Sequence, residues 1–108
     1  MPVHDAKKLT EADARLLALR IAASFPGHEA ATSEIKDLVP RFYHLSKADL
    51  KPSKTRPNES LWRQIIGNAV GSHQSSGPSI FSDGYAVKTH NGIRVTKDGL
   101  DYLKSLGY

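Results

Sequence analysis

Residues 85–96, YAVKTHNGIRVT, break the rhythm of a chain whose other apolar residues recur at helical spacing. Two short β-branched runs flank Asn91-Gly92, a pair that favours reversal between antiparallel strands. The loop length follows from the pairing it imposes. A two-residue turn sets Lys88 opposite Val95 and His90 opposite Ile93, mixing polar and apolar residues on both faces. A three-residue loop, His90-Asn91-Gly92, pairs Thr89 with Ile93, Val87 with Val95 and Lys88 with Arg94. That register gives one apolar face and one polar face, with Gly92 left-handed, and it is the expected one. Lys88 and Arg94, directly opposed, repel by a few tenths of a kcal/mol, a cost that a phosphate between them turns into a gain.

Helices are expected on both sides of this hairpin. Downstream, Thr96 caps a closing helix, KDGLDYLKSLGY, whose Leu100, Leu103 and Leu106 return to the core. Upstream, Thr10-Glu-Ala-Asp forms a capping box at the head of a first helix that Phe25-Pro26-Gly27 stops. ATSEIKDLVPRF offers a second start at Thr32 or Ser33, with Ile35, Leu38 and Val39 inward and Pro40 ending or kinking the helix. HLSKADLKPSKTRP then reads as a short turn capped by Ser46 and a Pro- and Lys-rich loop. The third helix, 58–70, lies in NESLWRQIIGNAVGSHQ, and SHQSSGPS after it is a loop.

On a helical wheel the third helix divides into two arcs. Leu61, Trp62, Ile65, Ile66 and Ala69 form the core side, and Ser60, Arg63, Gln64, Gly67, Asn68 and Gly71 face the other way. A merely solvated face favours Glu, Lys and Ala, and each glycine there costs about 1 kcal/mol relative to alanine. Gly67 therefore suggests close approach of something to this face, or close helix packing. Gln and Asn can bond adenine edges with two hydrogen bonds, and Arg can do the same for guanine.

The totals agree with a single domain over residues 1–108, with residues 1–9 as a flexible arm. The absence of cysteine excludes disulfide scaffolds, thiolate-bound zinc and thiol catalysis. Neither a signal peptide nor a membrane span is expected, which points to a cytoplasmic protein with no membrane partner. Charge is unevenly placed. Residues 1–50 carry seven basic and seven acidic side chains, whereas residues 51–97 carry seven basic side chains against Glu59 and Asp83. A basic half beside a neutral half suits a polyanion.

The order helix, helix, polar-faced helix, basic hairpin, closing helix resembles a winged helix-turn-helix. More narrowly, EAATSEIKDLV (29–39), LSKADLKPS (45–53), Trp62 and GIRVTKDGLDYL (92–103) resemble the N-terminal DNA-recognition domain of Mrr-type restriction endonucleases. The likeness covers about residues 29–106. It implies a mainly α fold with a small β-hairpin: a three-helix core, a β-wing and a C-terminal helix. It also implies double-stranded DNA recognition, sequence- or modification-dependent, in restriction or in transcription regulation beside a nuclease or regulatory protein. One departure is GNAVGSHQSSGPSIFSDGY (67–85), longer than the family's connection to the wing. The paired acids and lysine of the family's nuclease domain have no counterpart.

With the third helix in a major groove, Arg63, Gln64 and Asn68 are the base readers. Lys51, Lys54, Arg56 and Ser60 hold the DNA backbone before and at the helix start, as do Lys88, Arg94 and Lys97 around the wing. His90 marks the wing tip, within reach of a minor groove. No cofactor, metal or catalysis is expected. His4, His28, His44, His73 and His90 lack metal-ligand spacing, and Ser72, His73, Ser75 and Ser76 lack an orienting acid. The alternative is a protein-interaction winged helix without DNA readout, in which Trp62 and, above all, Phe81 meet the partner.

Overall fold

A computed structural model of the chain describes residues 9–52, 58–71 and 79–108. The expected capping box opens α1 (Glu11–Ala23): Thr10 Oγ1 accepts from Asp13 N at 3.0 Å, and Thr10 N donates to Asp13 Oδ2 at 3.1 Å. Ala14, Leu17, Ala18, Leu19, Ile21 and Ala22 are all buried, because the other elements wrap α1 on several sides. Leu9, placed by its sequence in a flexible arm, is buried instead. Its N–H donates to the buried Asp49 carboxylate at 2.8 Å. Asp49 also accepts from Ser46 N at 3.0 Å, while Ser46 Oγ accepts from Asp49 N, which makes the 46–50 turn the capped turn expected. Nearby, Tyr43 Oη donates to Asp13 Oδ2 at 3.5 Å. Burial first, then the Asp13 and Asp49 carboxylates, push the Tyr43 hydroxyl above its ordinary pKa.

After α1 the chain reverses through Gly27 and His28, both at positive φ, with His28 Nδ1 donating to Ala23 O. It enters a strand that its sequence does not announce, β1 (Glu29–Ala31). α2 (Thr32–Phe42) follows directly. Ala31 is its N-cap, where Thr32 or Ser33 is expected, and Glu34 Oε1 accepts from Ala31 N at 2.8 Å. Pro40 lies inside α2 rather than ending it. α3 (Leu61–Val70) starts from Ser60, and α4 (Lys97–Ser105) from Thr96, whose Oγ1 accepts from Gly99 N at 3.0 Å. Leu103 is buried and Leu100 half-buried, but Leu106 is exposed, past the end of the helix.

β2 (Ala86–Lys88) and β3 (Gly92–Val95) form the hairpin, and β1 pairs on the far side of β3. The result is a three-stranded antiparallel sheet of order β1-β3-β2. The register differs from the expected one by one residue: Ala86 faces Val95, Val87 faces Arg94, and Lys88 faces Ile93. Two features account for the shift. Thr89 closes the turn itself, its N–H donating to Gly92 O at 2.9 Å and its Oγ1 accepting from Gly92 N at 3.0 Å. Gly92 is not at positive φ; it is needed because β1 crosses so close that a Cβ there would overlap the Ala30 carbonyl. The inward residues of the central strand, Ile93 and Val95, are buried opposite Ala30 and Ala86, and Glu29, Arg94 and Val87 line the outward face.

The core joins α1 to Ile35 and Val39 of α2, Trp62, Ile66 and Val70 of α3, the sheet, and Leu103. Ile80 is buried in the connection before β2, and Phe81, expected to be exposed in a polar loop, packs half-buried against the same core. The chain is thus mainly helical with a small antiparallel sheet. Among the described residues, no helix is long and apolar enough to cross a membrane.

Candidate nucleic-acid interface

α3 is held at both ends of its approach. Leu61 N donates to Lys51 O at 2.7 Å, Trp62 N donates to Asp49 O at 3.2 Å, and Pro52 bridges Ser60. These bonds bring the exposed Lys51 beside the first turn of α3. Lys54 and Arg56 lie outside the described residues. Ser60 caps α3 through its backbone: its carbonyl accepts from Arg63 N and Gln64 N, and its side chain makes no capping bond.

The buried stripe of α3 is Trp62, Ile66 and Val70. Its centre is turned by about 70° from that of the expected arc of Leu61, Trp62, Ile65, Ile66 and Ala69, because Val70 is fully in the core. The turn re-sorts the polar side. Arg63 and Gly67 swing towards α2. Arg63 Nη2 meets Asp37 Oδ1 at 3.4 Å, and its guanidinium lies 4.8 Å from the centre of the Trp62 ring. Lys36, in a part-buried ion pair with Glu59 at 2.8 Å, runs over Gly67. Gln64 and Asn68 occupy the direction opposite the core, Asn68 exposed and Gln64 half-buried. Leu61, expected in the core, is half-buried on this outward side and is not among the side chains packed on the core cluster.

The hairpin does not bring its two basic residues together. Arg94 faces Val87 on one side and Glu29 on the other, with an exposed Arg94–Glu29 ion pair at 3.8 Å. Lys88 faces Ile93 and is exposed, and among the described residues its ammonium makes no ion pair. Lys97 pairs with Asp101 at 3.3 Å one helical turn away, on a surface too exposed for the pair to hold it strongly. His90 is exposed at the tip as expected. The tip itself is tied down, since Asn91 O accepts from Thr32 N at 2.9 Å. A polar recess of about 330 Å³ beside it includes Glu29 and Glu34.

The outward surface of α3 thus carries the amide side chains of Gln64 and Asn68 flanked by Lys51, and three expected contacts, Arg63, Arg94 and Lys97, pair with carboxylates of the chain itself. The residues missed in the sequence are Lys36 and Asp37 of α2, which cover one flank of α3. Gly67 was the available sign of them, because the missing side chain leaves the space that Lys36 occupies. Among the described residues no group of His, Asp and Glu could hold a metal ion. Compared with family models, curated proteins and solved structures, the chain matches none.

Proposed function

We propose that this chain binds double-stranded DNA as a winged helix-turn-helix domain, with α3 in the major groove. The observation that carries the reading is the chain order α1-β1-α2-α3-β2-β3-α4 with strand order β1-β3-β2. A strand between the first two helices that pairs on the second strand of the hairpin is the arrangement of a winged helix. It leaves the third helix with one face on the core and the other outward. Gln64 and Asn68 on that outward line are the base readers, each suited to the paired donor and acceptor of adenine. Arg63 serves second, positioned by Asp37 and Trp62, and reaches a base only after leaving that ion pair.

Lys51, Lys54, Arg56 and Lys88 supply the phosphate contacts, with Ser60 at the helix start. Arg94 and Lys97 join them once DNA displaces Glu29 and Asp101, an exchange of exposed ion pairs that costs little. His90 contributes only at the edge, because the short hairpin is fastened to α2. Recognition for a restriction nuclease or for a transcription regulator would use the same surface.

The test is fluorescence anisotropy with a duplex DNA pool at several salt concentrations. Six cationic phosphate contacts make log K fall against log salt with a slope of about −5. Double-stranded RNA binds less well, because its deep, narrow groove excludes the helix. Absence of binding by micromolar protein at low salt overturns the proposal. One observation favours a protein partner instead: Leu61 turns outward, and Leu50 nearby in the chain is 56% exposed. Binding to a protein through these leucines would show little salt dependence.

A further inference from the structure

On the opposite end of α1, Arg20 stands in the last turn of the helix between two rings. Its guanidinium carbon is 5.3 Å from the centre of the Phe42 ring and 4.0 Å from that of Tyr108. Phe42, Leu100 and Leu103 form the apolar wall of an open cleft of about 540 Å³, with Lys104 also on its lining. That volume lies within the range of small-molecule sites, about 300–1,000 Å³. Among the described residues no Asp or Glu lines the cleft, and neither Arg20 nor Lys104 makes an ion pair.

The ring contacts decide what this cation can still do. Two aromatic rings beside the guanidinium do not consume its N–H donors, and Arg20 makes no hydrogen bond among the described residues. A planar fork packed against aromatic rings, with its donors unused, suits a carboxylate. The dipole of α1 alone would favour a cation at this position, but it does not call for apolar walls or a second cation beside them.

The geometry points to a binding site for a small aromatic carboxylate. Its carboxylate lies on the Arg20 edge with Lys104 as the second cation. Its ring lies against Phe42, Leu100 and Leu103. Tyr108, 58% exposed, is the wall that moves to admit it. The site involves none of the residues assigned to DNA, so it stands or falls independently of that reading.

The test is a heteronuclear NMR titration of the full chain with benzoate, with benzamide (the same body uncharged) and with acetate (the charge without the body). Benzoate gives saturable shifts at Arg20 Nε and at the Phe42 and Leu103 amides, with Kd at or below about 1 mM. Benzamide and acetate bind roughly tenfold more weakly. Arg20→Met removes the benzoate shifts at Leu103 while the remaining spectrum stays that of the folded chain. Lys104→Met, at an exposed position that cannot unfold the domain, weakens benzoate a few-fold. Failure to saturate by about 10 mM benzoate overturns the site. So does benzamide binding as tightly as benzoate, or benzoate binding unchanged by Lys104→Met.

Discussion

Gly67 and Gly92 each lie where a neighbouring element crosses closely, and the two crossings are built differently. At Gly92 the neighbour is backbone: an added Cβ would stand 2.7 Å from Ala31 Cα and would overlap the Ala30 carbonyl. At Gly67 the neighbour is the far end of a side chain, with Lys36 Nζ at 3.3 Å and Cε at 3.4 Å. Strand β1 is held against β3 by a ladder that admits no side chain between them. Helix α2 lies against α3 through a flexible lysine that can move aside. The sheet seam is therefore rigid, and the seam beside the proposed DNA-reading face can adjust.

Breaking the rigid seam gives the largest effect. Gly92→Ala forces β1 off β3 or bends both strands, and it lowers stability by about 3 kcal/mol, the scale of a severe overpacking substitution. Urea denaturation measures it. A loss below about 1 kcal/mol would mean that β1 can separate from the sheet at little cost, and the contrast with Gly67 would disappear.

The same two glycines mark what was legible in the chain. The four helices follow from apolar spacing, although the third starts at 61 rather than 58 and the second caps at Ala31, and the Thr10 and Thr96 caps form as their sequences require. The hairpin was visible in Asn91-Gly92, but its register was not, because the Gly92 that suggested a left-handed turn serves instead the approach of β1. Glu29-Ala30-Ala31 has no strand signature of its own; only pairing with a strand 61 or more residues later makes it one. On α3 the division into two faces was legible. Its orientation was not, because Val70 and the crossing of α2 turn the helix by about 70°. That rotation exchanges the roles of Arg63 and Leu61 while leaving Gln64 and Asn68 outward.

The second contrast concerns the polar residues on the adjustable side. If DNA meets the line opposite the core, Asn68→Ala and Gln64→Ala each remove about 1–3 kcal/mol of discrimination at one base pair. Arg63→Ala weakens binding to all sequences by a smaller and more uniform amount, because it removes a residue held by Asp37 and Trp62. Lys88→Ala also acts uniformly and lowers the salt slope by about one. Competition anisotropy with single-base variants of a selected site separates these outcomes. Loss of discrimination greater for Arg63→Ala than for Asn68→Ala would show that Arg63 abandons Asp37 on binding and that the helix reads DNA with the flank now covered by α2.

The smallest effect is the most pointed test of the adjustable seam. Gly67→Ala gains helix propensity of about 1 kcal/mol, and the displaced Lys36 ammonium must shift by only a few tenths of an ångström. The net change is a stabilisation of about 0.5 kcal/mol, which rises towards the full propensity gain when Lys36 is first replaced by alanine. Affinity for DNA changes less than about twofold, because the new methyl group points towards α2 rather than along the Gln64–Asn68 line. A double-mutant cycle with Lys36→Ala, read by urea denaturation and by anisotropy, measures both terms. Destabilisation beyond about 1 kcal/mol would make this crossing as rigid as that at Gly92. Unchanged stability with a large loss of DNA affinity would instead mean that Gly67 is empty for the DNA rather than for the lysine.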